Sequence, residues 1–359
     1  MPRSPYGFAL PLLLSLAVAA PLTLNPADSV AGTAKEAPAR TAAAKTASAK
    51  AAPATAARAT AARAKPASKV STRSAAKAQP RKHRTGRRHA AAAAASAAVA
   101  SAVFRPVHAH VLMDAHSGRV IEAENADVVT YPASLTKMMT LLLTFEALDQ
   151  GSLRLDQELP VSRHAANQKP SRLGVVPGGT IRVEDAILAL SVKSANDVAV
   201  VLGEALGGSE ENFAEQMTAK ARSLGMTNTT FRNASGLPNR EQRTTARDMA
   251  RLARAVVSLP PQEYAYFSRT RFEWNGVVVP GHNRLFGRVE GYDGIKTGFV
   301  NLSGFNLAGS ASRNGQRMIA VVLGGETAKA RDNEVAELLE KGFKASGKQT
   351  VATTAGKAD

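Results

Sequence analysis

The sequence predicts one α+β domain over residues 105–346, and three observations support this prediction. Strand-like segments lie at both ends of this region, helical segments fill its middle, and nearly all of the chain's net charge of +17 lies outside it. Strands at the ends with helices between them indicate an antiparallel sheet covered by helices. A region of roughly 240 residues is large enough for one such domain with its own core.

The predicted elements follow in chain order. Residues 107–114 and 119–122 read as strands joined by the turn sequence Ala115-His116-Ser117-Gly118, which predicts a β-hairpin. An apolar run with a helical period covers 135–148, and Pro132 marks the start of this helix. Further elements are predicted as short helices at 185–190 and 198–206, strands at 270–274, 295–299, 304–312 and 317–323, and a closing helix at 328–344.

The first candidate site is the string Ser134-Leu135-Thr136-Lys137 at the start of the long helix. A serine hydroxyl is a poor nucleophile at neutral pH unless a base lies within hydrogen-bond reach. At a spacing of three residues both side chains lie on one helix face, so Lys137 can serve as that base. The free N–H groups of the helix start can stabilise an oxyanion. A second S-x-x-K string at Ser74 lies in a polar stretch without an apolar face and reads as chance.

Two more short strings follow in the order expected of one acyl-transfer site. Ser194-Ala195-Asn196 precedes an apolar helix and points a hydroxyl and an amide into one space. Taken alone, Ser194 fits a helix cap equally well. Lys296-Thr297-Gly298 lies in a predicted edge strand, where a cation and a hydroxyl suit an extended peptide that ends in a carboxylate. Taken alone, Lys296 fits a solvated surface lysine.

In this order the three strings resemble the penicillin-interacting serine transferases. Within that group the chain is most similar to the low-molecular-mass D-alanyl-D-alanine carboxypeptidase family, over roughly residues 105–345. Further matching strings are Leu112-Met113-Asp114, Asn233-Ala234-Ser235-Gly236-Leu237-Pro238, Thr245-Ala246-Arg247-Asp248-Met249-Ala250 and Gly324-Gly325. The resemblance implies a five-stranded antiparallel sheet flanked by helices, as in β-lactamases and penicillin-binding transpeptidases, with the cleft between the sheet and a helical lobe.

The resemblance also implies roles for the reacting groups. Ser134 would attack the carbonyl of the penultimate D-alanine, and neutral Lys137 would take its proton. Ser194 would pass a proton to the leaving amine, and Asn196 would hold Lys137 and the substrate amide. The backbone N–H of Phe299 would complete the oxyanion hole together with that of Ser134.

Substrate binding is implied for the third string and for one late arginine. Lys296 and Thr297 would bind the terminal carboxylate, beside Gly298, which has no side chain to obstruct the peptide. Arg331 resembles the family's carboxylate-binding arginine, although its position in the closing helix also fits an exposed surface residue. β-Lactams would acylate Ser134 because they imitate the same D-alanyl terminus.

The expected activity is removal of the terminal D-alanine from peptidoglycan stem peptides, with three alternatives. A DD-endopeptidase that cleaves cross-links uses the same chemistry on a different leaving amine. A β-lactamase is disfavoured because residues 227–240 contain no acidic residue to activate water, and because the second string is Ser-Ala-Asn rather than Ser-Asp-Asn. A catalytically dead wall-binding module is disfavoured because all the reacting side chains are present.

No cofactor and no metal are predicted. The chain has no cysteine, which excludes disulfides, thiol catalysis and cysteine-based metal sites. His108 and His110 share one face of the first strand, but no third ligand with a metal-site spacing stands near them.

The N-terminal third predicts export to the periplasm or cell envelope. Arg3, an apolar run at 8–24 and Ala31 before Gly32 predict a signal peptide over residues 1–31, with an uncleaved anchor as the alternative. Residues 32–104 hold 15 Lys or Arg and one acid, which predicts a disordered basic linker. No aromatic residues interleave with these charges, so anionic envelope polymers or lipid headgroups are favoured over nucleic acid as partners. A disordered tail is predicted at 347–359.

Overall fold

The computed structural model describes residues 106–355, with side chains as far as Ser346. The predicted signal peptide, 1–31, and the predicted basic linker, 32–104, lie outside the described residues. Within the described range, none of the helices combines the length and the apolar character needed to cross a bilayer.

One antiparallel sheet forms the centre of the fold. The strands in chain order are β1 (Ala109–Asp114), β2 (Val120–Glu124), β3 (Glu158–Pro160), β4 (Thr180–Arg182), β5 (Arg271–Trp274), β6 (Val277–Pro280), β7 (Tyr292–Val300), β8 (Gly304–Arg313) and β9 (Gln316–Gly325). Five of them form the sheet in the order β2-β1-β9-β8-β7, and β3–β4 and β5–β6 form two small hairpin-like pairs. The strand β7 is therefore an edge with one side free to meet an extended ligand.

The described part of the chain contains eight helices. They are α1 (Thr136–Asp149), α2 (Arg163–Ala166), α3 (Val183–Leu188), α4 (Asn196–Gly207), α5 (Glu210–Ser223), α6 (Ala246–Val257), α7 (Pro261–Tyr264) and α8 (Ala328–Ala355), counted over residues 106–355. Most residues of α1 are buried, including the polar Lys137, Thr140 and Thr144. A helix buried on every side belongs to the core. Its polar side chains must therefore find partners inside the protein.

The sheet separates two layers of apolar side chains. In β1, Ala109, Val111 and Met113 pack against the helical lobe, whereas Leu112 packs on the opposite face against α8. This alternation follows from the two-residue period of a strand. His108 and His110 lie four and two residues before Leu112, so they share its face of the strand. Both face α8, where they contact Glu334.

The predicted fold class is confirmed, and most predicted elements lie within a few residues of the observed ones. The predicted hairpin is present as β1 and β2, which pair in antiparallel register. The predicted strands at 295–299, 304–312 and 317–323 correspond to β7, β8 and β9. The predicted long helix corresponds to α1, preceded by a short 3-10 turn at Ala133–Leu135.

Three details differ from the sequence predictions. The strand predicted at 270–274 pairs only with β6, because Asn275 and Gly276 both have positive φ and close a tight hairpin. The helix predicted at 185–190 is α3, and a π turn at Ala189–Lys193 continues it. The closing helix continues beyond 344 as far as Ala355, and no proline interrupts it.

Candidate active site

The candidate nucleophile lies on a strained turn. Ser134 occupies the 3-10 turn that leads into α1, and Lys137 lies in the first turn of that helix. The residue before Ser134, Ala133, is buried and has a φ of 49°, a conformation that costs a non-glycine residue energy. The turn brings Ser134 Oγ to 3.2 Å from Lys137 Nζ. The hydroxyl and the candidate base are therefore in direct contact.

Lys137 is fully buried between two fixed oxygen atoms. Its Nζ lies 2.7 Å from Asn196 Oδ1 and 2.5 Å from the backbone oxygen of Ser235. A neutral amine has two N–H donors and one lone pair. The two oxygens take the two donors, so the lone pair is left to accept from the O–H of Ser134.

The electrostatic surroundings of Lys137 favour this neutral form. Burial lowers the pKa of Lys137 well below its usual value, and the positive charge of Lys296 lowers it further. Asp197 acts in the opposite direction but is the weaker influence. A charged amine without a close counter-ion is costly in the interior, which is the physical cause of the shift. Lys137 is thus better suited than an exposed lysine to act as a general base.

The second string lies at the junction of two helices. The π turn ends at Ser194, whose φ is 61°, and α4 begins at Asn196. Ser194 ends the π turn but is not the N-cap of α4, since Ala195 occupies that position without a side-chain bond. The buried Oγ of Ser194 has no hydrogen-bond partner within the described range. Its hydroxyl is therefore free to bind a substrate group.

Backbone strain is concentrated at this site. Five non-glycine residues in the described part of the chain have positive φ, and three of them are asparagines, which adopt this conformation readily. The other two are Ala133 and Ser194. Both lie next to or within the catalytic strings. Strain held in place at such positions is typical of preorganised functional sites.

The third string runs along the sheet edge beside the nucleophile. Gly298 in β7 approaches so closely that a Cβ there would lie 3.0 Å from the backbone nitrogen of Ser134. A side chain at this position would therefore crowd the nucleophile turn. The next residue, Phe299, is half exposed, and its ring packs against Phe305 with centroids 4.4 Å apart. The backbone of β7 is thus fixed close to the N–H of Ser134.

Two buried cations belong to this end of the site. Lys296 is 3% exposed and its Nζ donates to the backbone oxygen of Thr297. Burial and the neighbouring Arg331 guanidinium lower the pKa of Lys296 to about 7. Arg331 is 4% exposed and donates to Asp332 and to the backbone oxygen of Asn306. The alternative that Arg331 is an exposed surface residue is therefore wrong.

A cavity of about 300 Å³ joins most of the predicted residues. It is lined by Ser134, Ser171, Ser194, His282, Arg284, Thr297, Gly298, Phe299, Phe305, Ala328 and Arg331. Lys296 lies behind this wall and lines a smaller neighbouring cavity together with Thr297. None of the described residues lining the larger cavity is acidic. The site is therefore suited to an anionic ligand.

A second cavity also borders Ser134, shares Ser171 and Phe299 with the first, and is mostly apolar. Its lining includes Ser134, Pro170, Asn196, Leu237, Pro238, Phe299 and Leu302. The nucleophile thus lies between a cationic cavity and an apolar one. An extended ligand that crosses Ser134 would place its two ends in different environments.

The sequence did not assign roles to several residues that hold the site together. The Ser235 backbone oxygen accepts from Lys137, and Asn233 Oδ1 fixes the loop by accepting from the backbone of Gly236. The side chain of Asn306 donates to the backbone oxygen of Tyr131 before the nucleophile. Its own backbone oxygen accepts from Arg331. The Asn-Ala-Ser-Gly string was the available signal for the loop, whereas Asn306 offered none.

Replacing Gly236 with alanine is expected to lower the rate of acylation by penicillin roughly 10²-fold, because misplacing reacting groups by about 1 Å has this effect. Gly236 has a φ of 86°, and a Cβ there would lie 1.8 Å from the backbone oxygen of Ala133. The turn carrying Ser134 must then move. Stopped-flow measurement of penicillin binding tests this expectation.

Gly315→Ala is the matched control for that substitution. Gly315 has a φ of 78°, but no atom lies within 4 Å of the position that an added Cβ would take. It therefore reproduces the backbone strain without the collision. Equal acylation rates in the two variants would show that Gly236 does not position the nucleophile.

The buried acidic groups near the strings have structural roles. Asp197 accepts hydrogen bonds from the backbone nitrogens of Leu173 and Gly174. Asp248 accepts from the backbone nitrogen of Asn228, and Asp293 pairs with Arg317. None of these three carboxylates is free to act as a catalytic acid or base.

Comparisons with known proteins give a consistent result. A family model described as D-alanyl-D-alanine carboxypeptidase, peptidase S11, matches residues 95–327. The chain is 38% identical over 243 residues to the D-alanyl-D-alanine carboxypeptidase DacC of Escherichia coli and 33% identical over 241 residues to DacF of Bacillus subtilis. These alignments cover 66% and 65% of this chain. They cover 61% of each relative, so the chain spans less than two thirds of their length.

Solved structures show the same similarity. Penicillin binding protein 5 from Haemophilus influenzae matches with a TM-score of 0.64 and 34% identity, over 66% of this chain and 70% of that chain. Penicillin-binding protein D2 from Listeria monocytogenes, in its ampicillin-bound form, matches with a TM-score of 0.57 and 34% identity, over 66% and 96% of the two chains.

Proposed function

Because the chain belongs to the D-alanyl-D-alanine carboxypeptidase family, we propose that it removes the terminal D-alanine from peptidoglycan stem peptides through an acyl-enzyme on Ser134. The contact set of Lys137 is the observation that carries this proposal. Its two N–H donors are engaged by Asn196 and Ser235, so its lone pair faces the hydroxyl of Ser134. This arrangement supplies an activated serine without a histidine.

Acylation begins when Ser134 Oγ attacks the carbonyl carbon of the penultimate D-alanine. A C–O bond forms, and the hydroxyl proton moves to Lys137 Nζ. The negative charge on the tetrahedral oxygen is stabilised by the backbone N–H groups of Ser134 and Phe299. When the C–N bond breaks, the unpartnered hydroxyl of Ser194 relays a proton to the departing amine. Water then attacks the carbonyl carbon of the acyl-enzyme, the C–O bond to Ser134 breaks, and a proton returns to Ser134 Oγ.

The cationic cavity is assigned to the carboxylate of the departing D-alanine. Arg331 and Thr297 line this cavity, and Lys296 lies directly behind Thr297. These groups would favour a substrate with a free C-terminus, because its carboxylate would form charge-assisted hydrogen bonds with them in place of bonds to water. β-Lactams, whose carboxylate occupies a comparable position, are proposed as covalent inhibitors for the same reason.

Product analysis tests the proposal against its two enzymatic alternatives. The full chain is incubated with a soluble pentapeptide, with cross-linked peptide dimers and with penicillin. Release of free D-alanine from the pentapeptide together with a lasting penicillin adduct supports the carboxypeptidase. Cleavage of dimers alone supports an endopeptidase, and continuous penicillin turnover supports a β-lactamase.

The pH dependence of kcat/KM is expected to be bell-shaped. Activity rises with pH as Lys137, whose pKa is lowered by burial, loses its proton and becomes a base. It falls again as Lys296, with a pKa of about 7, loses the positive charge that attracts the substrate carboxylate. A bound carboxylate stabilises that charge, so the falling limb of kcat lies at higher pH than that of kcat/KM.

Lys296→Arg separates the two limbs of this profile. A guanidinium keeps its charge through the whole range, so the falling limb is expected to move to higher pH while the rising limb stays. Initial rates of D-alanine release over the pH range measure both. A falling limb that does not move would assign that limb to a different group.

We also propose that the protein is exported and that residues 32–104 act as a basic tether to anionic envelope polymers or lipid headgroups. The supporting observation is the density of Lys and Arg before the catalytic region. Deleting 32–104 is expected to lower retention in the envelope fraction at low salt, since such attraction is screened by ions. Turnover of a soluble pentapeptide is expected to stay unchanged. Retention equal to that of the full chain would refute the tether.

A further inference from the structure

A cluster of histidines and glutamates lies outside the active site, where the first strand meets the last helix. His108 Nε2 lies 2.9 and 2.8 Å from the two carboxylate oxygens of Glu334, and His110 Nδ1 lies 3.1 Å from one of them. One atom from each of the three side chains falls within 4.8 Å of the others. The sequence indicates no third candidate ligand near His108 and His110, whereas the fold brings Glu334 of α8 beside both.

We propose that His108, His110 and Glu334 form a binding site for a divalent transition metal ion, with Zn²⁺ as the best match. Imidazole nitrogens and a carboxylate are ligands that Zn²⁺ prefers. Tetrahedral bonds of about 2.0–2.1 Å place ligand atoms roughly 3.4 Å apart. The observed separations need only small side-chain adjustments to reach this geometry.

The charges around the cluster favour a cation. Glu124 and Glu122 approach it from β2: Glu124 carboxylate oxygens lie 3.9 Å from His108 and 4.0 Å from His110. Lys341 pairs with Glu122, so it offsets one of the three carboxylates. With neutral imidazoles the group carries excess negative charge. Glu124 is the side chain placed to take the fourth coordination position, and its exposure lets an ion reach the cluster from solvent.

The hydrogen-bond state of His110 provides a second, independent argument. Its Nε2 is buried and has no hydrogen-bond partner in the described part of the chain. When Nδ1 donates to Glu334, Nε2 carries a lone pair with no donor to meet it. When Nδ1 binds a metal instead, the proton moves to Nε2, which faces Glu122 Oε1 at 3.7 Å. A metal-bound histidine usually donates its other ring N–H to such a carboxylate.

Metal binding would join distant parts of the fold. His108 directly precedes β1 and His110 lies within it, and Glu334 is 226 residues away from His108 in the sequence. Glu334 also lies one helical turn after Arg331 in α8. A bound ion would therefore hold β1 against the part of α8 that carries the cationic wall of the active site.

Zinc titration of the untagged full chain tests this site. The apoprotein competes with a chromophoric zinc indicator, and bound zinc is quantified after gel filtration. We expect one tightly bound equivalent in the wild type, and its loss in His110→Gln and in Glu334→Gln. Glu122→Gln is expected to weaken binding about tenfold or more, as loss of a carboxylate that orients a metal-bound histidine does. A wild type that retains no zinc would overturn the proposal.

Two control variants use three of the five other histidines of the chain. His116→Gln changes an exposed histidine in the turn after β1, and a His83→Gln/His89→Gln double variant removes the histidines of the basic segment. Both should bind zinc as the wild type does. Loss of the tight equivalent in either control would assign the metal to another part of the chain and overturn the proposal.

Folding and ligand identity are checked separately. Penicillin acylation of each variant reports whether the catalytic domain is folded, and zinc should raise the melting temperature of the wild type but not of Glu334→Gln. X-ray absorption at the zinc edge of the wild type provides a test that needs no variant. Two imidazole nitrogens with carboxylate oxygen are expected, and a shell without imidazole would refute the site.

Discussion

Ser134→Ala is expected to abolish the covalent penicillin adduct and to reduce D-alanine release on the order of 10⁴–10⁶-fold, as removal of a catalytic nucleophile does. Ser134 Oγ is the hydroxyl oxygen in hydrogen-bond contact with Lys137 Nζ. The substitution removes only one oxygen atom from a partly exposed side chain, so the domain should remain folded. Intact-mass measurement after incubation with penicillin detects the adduct.

Ser74→Ala is the matched control for this experiment. Ser74 begins the other S-x-x-K string, Ser74-Ala75-Ala76-Lys77, in the basic segment. This variant should acquire one penicillin per chain, as the wild type does, with the adduct mapping to the peptide that contains Ser134. An adduct that persists in Ser134→Ala would show that a different residue is the nucleophile.

Lys137→Met is expected to lower the acylation rate roughly 10²–10⁴-fold, the usual contribution of a positioned general base. Methionine has similar length and no basic nitrogen, so Ser134 would lose the acceptor for its proton. The acceptors Asn196 Oδ1 and Ser235 O would lose their donor, which costs about 1–3 kcal/mol of folding free energy for each unsatisfied group. Stopped-flow acylation and thermal unfolding, measured together, separate the two effects.

A second lysine provides the comparison. Lys220 in α5 pairs with Glu146 and is partly exposed, so Lys220→Met removes a lysine from the same lobe without touching the site. Its acylation rate should equal that of the wild type. If Lys137→Met acylates at the wild-type rate while folded, a different group must take the proton from Ser134.

The predictable part of the fold came from local patterns. The hairpin of β1 and β2, the apolar run of β9, and the helical period of α1 all appear in the sequence. The strand at 270–274 was also recognised, but its partner was not. Pairing depends on which strands meet in space, and a local pattern holds no information about that.

The predictable part of the site was the set of candidate side chains that the fold brings together. Ser134, Lys137 and Asn196 are in direct contact, and Ser194, Thr297, Gly298, Phe299 and Arg331 line the same cavity. Spacing could not show that Ser235 accepts from Lys137 through its backbone, since any residue type carries that oxygen. Nor could it show that Arg331 is buried, because a helical arginine is usually exposed.

The sequence by itself determined the fold class, the order of the elements and the choice of candidate reacting groups. Each of these depends on residue type and short spacing, which a helix or strand converts directly into geometry. The tertiary structure alone decided the lowered pKa of Lys137, the strain at Ala133 and Ser194, and the meeting of His108 and His110 with Glu334. These properties arise from burial and from contacts between residues far apart in the chain, and burial is set only when the whole domain has packed.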